Sequence, residues 1–286
     1  MNLKAAIIAA FALLVLPAMS KAQYIVTDSI LPERIVVKST QYGLASLNNL
    51  DTYLSGYEYD GTGLHISHES FRDARTGNYR WKYQRTLYGT IGLATQGSNT
   101  QITGLFSCNW SGYHPFVMGS RLKLLGGVQI QAEGGALYVP VNGNNPVSLK
   151  LRTALAATGM AIYRFDVGKH SWTARYQLDI PLAGVMFAPE FGQSYYEIFG
   201  LGHTSGIVSM SHLVNSPSWR HVLSLDIPLR YRRYSTMLRL QYCADLYQSD
   251  INGIRCHIYR YAFTFGFTKT IFKIKEENKI KAYSPF

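Results

Sequence analysis

From Tyr259 onward the chain alternates with a period of two. Tyr259, Tyr261, Phe263, Phe265 and Phe267 are aromatic, and Arg260, Ala262, Thr264, Gly266 and Thr268 between them are polar or small. Successive side chains of a β-strand point to opposite faces, so this stretch predicts one strand with two unlike faces. The same pattern precedes it, with Leu238, Leu240, Tyr242, Ala244 and Leu246 against Arg239, Gln241, Cys243, Asp245 and Tyr247. Asn252-Gly253 between the two runs suits a two-residue turn that needs positive φ at both positions, which predicts an antiparallel hairpin. Trp219, Leu223, Leu225, Ile227 and Leu229 likewise alternate with Arg220, Ser224, Asp226 and Arg230. Trp172, Ala174, Tyr176, Leu178, Ile180 and Leu182 alternate with Thr173, Arg175, Gln177 and Asp179, and Leu122, Leu124, Val128 and Ile130 with Arg121, Lys123, Gln129 and Gln131. Weaker versions cover residues 81–93, where Arg85 interrupts the pattern, and 102–110. Counted this way the chain holds about 10 to 12 strands. They are joined by turn-rich pieces such as Asn142-Gly143-Asn144-Asn145-Pro146, with no break in composition to divide them into domains.

Half-buried strands of a soluble sandwich also alternate. Here, however, the polar face carries Arg or Lys in strand after strand, and the apolar face bears Trp81, Trp110, Trp172 and Trp219 at or near segment ends. An outward apolar band bounded by aromatic girdles around a polar interior is the pattern of a transmembrane barrel. The expected fold is therefore all-β: a transmembrane antiparallel up-and-down β-barrel of about 12 strands, with 10 as runner-up, over residues 34–272.

Composition sharpens this. Of 286 residues only 16% are charged, against 47% hydrophobic and 13% aromatic, where a soluble domain carries about 25% charged residues. Lys4, the apolar run over residues 5–16 and Ser20-Lys21-Ala22 read as a secretory signal peptide spanning residues 1–22. Residues 23–33 follow as a periplasmic segment, and residues 273–286 form a basic C-terminal tail. After the leader no stretch is apolar for the length of a spanning helix, so strands must cross any membrane. Without Lys4 and Lys21 of the leader, 26 basic and 17 acidic residues leave a net charge of +9, divided among strands and tail. It suits anionic lipid nearby and forms no continuous stripe of the kind that binds nucleic acid. The expected address is the outer membrane of a Gram-negative bacterium. Its lipids and lipopolysaccharide are the expected partners, together with the barrel-assembly machinery during insertion.

If the apolar parity faces lipid, the other parity gathers Arg175, Arg220, Arg230, Arg239 and Arg260 with Asp179, Asp226 and Asp245 in the lumen, joined by Arg121, Lys123, Lys150 and Arg152. Charges removed from water need partners, and a barrel of this size is mostly filled by its own side chains. Leu178-Asp179-Ile180-Pro181-Leu182 recurs as Leu225-Asp226-Ile227-Pro228-Leu229. Each Asp falls on the polar parity, and each Pro, which cannot donate to a ladder, marks a bulge or a strand end. Cys108, Cys243 and Cys256 lack the spacing of a zinc or redox motif. The predicted hairpin sets Cys256 opposite Ser249 and away from Cys243, so free thiols are expected. No metal set or cofactor motif stands out; His65 and His68 beside Glu69 lack ligand spacing.

One stretch carries the residue types of an active site. In Gly202-His203-Thr204-Ser205-Gly206 a base and a nucleophile stand two apart, on one face if the segment is a strand, with Asn215 downstream as a group that could orient the imidazole. This stretch, with Asn215-Ser216-Pro217-Ser218-Trp219-Arg220, resembles the outer-membrane phospholipase A family, which carries His-x-Ser followed by a Ser-x-Ser-Trp-Asn run. The resemblance implies that His203 is a base and Ser205 a nucleophile. Arg220 replaces the orienting Asn, and a guanidinium cannot accept the imidazole N–H.

A broader likeness rests on Asp51-Thr52-Tyr53-Leu54-Ser55, Met186-Phe187-Ala188-Pro189, Gly192-Gln193-Ser194-Tyr195-Tyr196-Glu197-Ile198-Phe199 and the run from Asn215 to Arg220. These look like landmarks of an uncharacterised Bacteroidota outer-membrane barrel family, which implies a barrel and an address but no activity. Three functional classes stay open: a structural or small-ligand-binding barrel with a filled lumen, a narrow anion-favouring channel, and a lipid hydrolase using His203 and Ser205.

Overall fold

The computed structural model describes residues 34–73, 81–143, 145–168, 170–229 and 236–273. The signal peptide, the segment 23–33, Arg230 and the tail beyond Lys273 lie outside the described residues.

Alternation produces strands throughout: β1 (Arg34–Asp51), β2 (Ser55–Asp73), β3 (Lys82–Gln96), β4 (Asn99–Met118), β5 (Leu122–Tyr138), β6 (Val147–Leu149), β7 (Arg152–Val167), β8 (His170–Phe187), β9 (Val208–His212), β10 (Ser218–Pro228), β11 (Thr236–Ile251) and β12 (Ile254–Lys273). Every pairing is antiparallel. β1 pairs with β12, and β8 with β10, so that ten strands close into a barrel, while β6 and β9 sit at its rim. β6 lies in the same ladder register as β7: Glu133↔Arg152 and Ala136↔Leu149 are steps of one series along β5, interrupted at Lys150-Leu151 opposite Gly134-Gly135. β9 also pairs with β8 ahead of β10 but not in one register with it, Ala183↔His212 against Asp179↔Arg220, and residues 213–217 loop out between them. Twelve strand segments thus build a ten-strand ring, which reconciles the two counts the sequence offers. No helix among the described residues is long and apolar enough to cross a membrane.

Local sequence rules account for the joints. Asn252 (φ 54°) and Gly253 (φ 75°) make the tight β11–β12 turn, and the register it sets places Ser249 opposite Cys256 and Cys243 opposite Ala262. All three cysteines are free. Pro181 lies at the register shift between β7 and β8, and Pro228 ends β10. Leu182 bulges outward there, so the inward parity passes from Arg175, Gln177 and Asp179 to Gly184 and Met186.

The two faces are chemically opposite. Outward stand Leu44, Ile66, Leu93, Phe106, Val128, Leu155, Leu223 and Phe263, all exposed. Trp81, Trp110 and Trp172 lie toward the end that holds the β1 and β12 termini, and Trp219 toward the other. Inward stand Gln41, His65, Gln84, Asn109, Gln129, Gln177, Arg239 and Thr264, all buried. The largest apolar core lies under the loops at the far mouth, where Tyr53, Leu54, Tyr59, Leu137, Val139, Met186, Tyr247, Ile251, Ile254 and Ile258 cluster.

Because Ser249 and Cys256 are directly opposed and both point inward, Ser249→Cys is expected to form a disulfide with Cys256 on mild oxidation, as opposed Cα atoms fall within bridging distance. Alkylation of the denatured protein should count Cys108 and Cys243 as the remaining thiols; a full set of four reactive thiols contradicts this register.

Candidate functional site

The lumen is where unlike residues are brought together. Glu69 on β2 accepts two hydrogen bonds from the Arg175 guanidinium on β8, at 2.6 and 2.7 Å, and one from Arg239 on β11 at 2.5 Å. Gln84 adds a fourth at 2.7 Å. Arg239 turns its other edge to Asp226, with Nε and Nη2 at 2.5 and 2.7 Å from the two carboxylate oxygens. Glu133 on β5 receives Arg152 through Nε at 2.9 Å and Nη2 at 2.5 Å, and Arg260 of β12 at 3.3 Å; Arg260 also reaches Asp245 at 2.5 Å. Arg220 lies 3.8 Å from Asp179 and packs its guanidinium 3.9 Å above the Tyr88 ring. Nearer the far mouth Lys150 meets Asp51 at 2.8 Å.

Lys150, Arg152, Arg175, Arg220, Arg239 and Arg260 therefore face Asp51, Glu69, Glu133, Asp179, Asp226 and Asp245, cation for carboxylate, with every one of these side chains largely buried. Neutral side chains tie the rest across the lumen: Asn49 to Gln101 and Thr103, Gln84 to Gln177, and Tyr113 to Gln84 and Thr158. With the Glu69–Arg175 and Glu133–Arg260 pairs, which join strands five apart in the ring, these bonds fill the middle of the barrel with crosslinks.

Over the far mouth the loops make an apolar cap. The Tyr53 hydroxyl donates to the Gln193 carbonyl at 2.8 Å, the Asn142 side-chain amide to the Leu54 carbonyl at 2.7 Å, and the Asn252 amide to the Ala188 carbonyl at 2.6 Å. The one-turn π-helix Tyr196–Gly200 is held at its start by a reciprocal pair: the Ser194 amide and hydroxyl donate to Glu197 at 2.6 and 2.9 Å, and the Glu197 amide donates back to Ser194 at 3.2 Å. Those bonds hold the Glu197 carboxyl below its usual pKa.

The residues of the hydrolase reading lie outside the barrel. His203 and Ser205 are exposed on the long loop between β8 and β9 and share an open depression with Glu190 and Gln193. Asn215 stands in the looped-out residues between β9 and β10. Its Oδ1 accepts the His212 amide at 2.8 Å and its amide donates to the Met210 carbonyl at 2.9 Å, so both ends of its side chain are spent locally. Of the expected lumen residues, Arg175, Asp179, Arg220, Asp226, Arg239, Asp245 and Arg260 point inward and are buried. Arg121 is exposed in the turn before β5. Sequence reasoning missed Glu69 and Glu133, the two carboxylates that each bridge a pair of arginines. One more step of two along Gln129 and Gln131 reaches Glu133, and Leu64 and Ile66 alternate with His65, Ser67 and Glu69. Among the described residues no group of His, Cys, Asp and Glu is placed to hold a metal.

The sequence matches, over residues 7–278, the family described as "Protein of unknown function (DUF3316)". The chain belongs to that family. No curated protein matches the sequence. Among solved structures it is similar to the outer membrane protease OmpT from Escherichia coli, with a TM-score of 0.46, 8% identity, and 86% of this chain and 99% of that one covered. It is also similar to the beta domain of the Bordetella autotransporter BrkA, at 0.40 and 11% identity over 82% and 99% of the two chains. The translocator domain of the autotransporter NalP from Neisseria meningitidis gives 0.32 and 10% over 92% and 96%. At these scores the likeness carries no inference about what the DUF3316 protein does.

Removing one partner of a buried ion pair strands the other. Glu69→Gln leaves Arg175 and Arg239 without their shared carboxylate and is expected to destabilise the folded barrel by about 3–5 kcal/mol. Thermal unfolding in detergent, followed by the gel-mobility change on heating, measures this; an unchanged midpoint contradicts the bridging role.

Proposed function

We propose that this protein is an outer-membrane β-barrel whose lumen is filled and electrically balanced, and that it acts as a structural or small-ligand-binding barrel and not as an open pore. The observation that carries this reading is the matched set of buried cations and carboxylates crosslinking opposite walls, lying beneath an apolar cap. A conducting lumen needs a water-filled path, with charged rings exposed to the passing ion; here the charged groups are spent on one another. Membrane placement is supported by the outward face, an apolar surface far larger than a soluble protein leaves uncovered. With an even number of strands in the ring, both chain ends stand on the periplasmic side and the capped mouth faces outward. The partners of this reading are the surrounding outer-membrane lipids and lipopolysaccharide, and the assembly machinery during insertion after export through the leader.

The purified full chain in planar bilayers is expected to give no steady conductance, and discrete steps that scale with salt overturn the filled-lumen reading. Fractionation should place it with the outer membrane, extractable by detergent only; recovery in the soluble periplasmic fraction overturns the membrane reading. Fatty-acid release from phospholipid is expected to be the same for the wild type and Ser205→Ala, because His203 and Ser205 are open to solvent and nothing there excludes bulk water. Release that vanishes in Ser205→Ala establishes the hydrolase instead.

A further inference from the structure

Along β5 the barrel wall is interrupted where β6 gives way to β7. Regular pairing with β5 stops at Lys150-Leu151, opposite Gly134-Gly135. The backbone stays satisfied: the Lys150 amide donates to the Gly135 carbonyl at 2.9 Å and the Phe187 amide to the Leu151 carbonyl at 2.9 Å. A cavity of about 30 Å³ lies at this break and is lined from both sides of the wall. Its inner lining carries Lys150, Arg152, Arg260 and Glu133, with Asp51 paired to Lys150 and Asp245 to Arg260 just beyond it. Its outer lining is Phe106, Gly134, Leu151 and Phe187.

Glycine keeps the outer side open. A Cβ at Gly134 would stand 2.7 Å from the Phe106 ring and 3.6 Å from Leu151, so any side chain there would fill the groove between them. The inner side is short of acceptors. Arg260 is 4% exposed, and while Nη2 serves Asp245 and Glu133, Nε and Nη1 have no hydrogen-bond partner. Buried donors of a charged group left unmade are costly, and an incoming anion would complete them. A water-sized centre takes about 10–15 Å³, so the cavity accommodates the paired oxygens of one carboxylate, or two oxygens of a phosphate.

We propose that this break is a lateral binding site for an anionic amphiphile, with the acyl chain lying in the outer groove along Phe106, Leu151 and Phe187 and the head group reaching through the wall to Lys150, Arg152 and Arg260. The proposal rests on the reading that the outward face meets lipid. The shared chemistry is an anionic head on an alkyl chain, whether a free fatty acid or a membrane phospholipid supplies it.

The test is photolabelling of the full chain in neutral detergent with a dodecanoate that carries a diazirine near its carboxylate, mapped by mass spectrometry. Label should concentrate on the peptides holding Phe106, Gly134, Leu151 and Phe187 above the rest of the apolar band. Unlabelled dodecanoate should displace it, and dodecanol should do so more weakly by about tenfold or more, the worth of a charged hydrogen bond. Gly134→Leu should abolish the concentrated label while leaving the band labelling and the heat-dependent gel mobility intact. Displacement by phosphatidylglycerol as well as by dodecanoate assigns the site to membrane lipid; displacement by dodecanoate alone assigns it to free fatty acid. Even labelling along the band, equal displacement by dodecanol, or displacement by inorganic phosphate at the same concentration overturns the site. Absence of label from the whole outward face overturns the membrane reading instead.

Discussion

A closed barrel with an apolar outside has no other place for its polar groups than the inside, and there they are removed from bulk water. A lone buried guanidinium or carboxylate is prohibitively costly, whereas a paired and hydrogen-bonded one is tolerable. The ladder between β1 and β12 closes the ring, but it is the pairing of Glu69, Glu133, Asp179, Asp226 and Asp245 with arginines from other strands that makes the closed ring's contents acceptable. Such pairs add little net stability over a well-packed apolar core. What they supply is specificity, because Glu69 can meet Arg175 and Arg239 together only if β2, β8 and β11 hold their registers. A slip of one residue in any of these strands would send a charge to the outer face and an aromatic ring inward.

Small residues are the counterpart of this filling. Inward glycines let neighbouring strands coil closely on one another beside the large interior side chains. At Gly43 and Gly266 an added Cβ would lie 2.0 Å from the carbonyl oxygens of Phe263 and Thr40. Between the ion pairs, Ala45, Leu47, Val222, Cys243 and Ala262 form a small interior apolar cluster on the same stretch of wall. The cap follows from the same constraint at the mouth, where the loops must end the polar column against solvent. They do so with Tyr53, Leu137, Met186 and Ile254, whose burial also shelters the Lys150–Asp51 pair from bulk water.

Much of this was legible before the structure. Parity alone assigns Arg220, Asp226, Arg239, Asp245 and Arg260 to one face, because side-chain direction in a strand is local and strictly periodic. The Asn252-Gly253 turn fixes the partner of Cys256, and the two Leu-Asp-Ile-Pro-Leu copies locate a bulge and a strand end. What parity cannot supply is which inward residues touch across the ring, since contact depends on strand tilt and stagger around the whole barrel. The bridging role of Glu69 is of this kind. The element count was blurred for a different reason: β6 and β9 are pieces of two ring strands separated by an interruption, and each reads locally as a strand of its own. The His203–Ser205 spacing shows the opposite limit of parity. His203 and Ser205 are close in sequence, and a strand would have put them on one face, but they fall in a loop where that spacing has no directional meaning.

The interruption at Gly134-Gly135 gains its interest from this background. Along the regularly paired strands a charged interior is separated from an apolar exterior by backbone pairing, and the two environments do not communicate. At the break they share one cavity, with Arg260 donors on one side and the Phe106 and Leu151 side chains on the other. A neutral solute gains nothing from the donors, and a small soluble anion gains nothing from the groove. Only a molecule that is itself divided into a charged head and an apolar chain uses both, and here two unpartnered Arg260 donors, Nε and Nη1, lie beside an apolar groove open to the outer face. The filled lumen thus argues against transport through the barrel's axis while leaving its wall as the route by which the interior can meet a ligand.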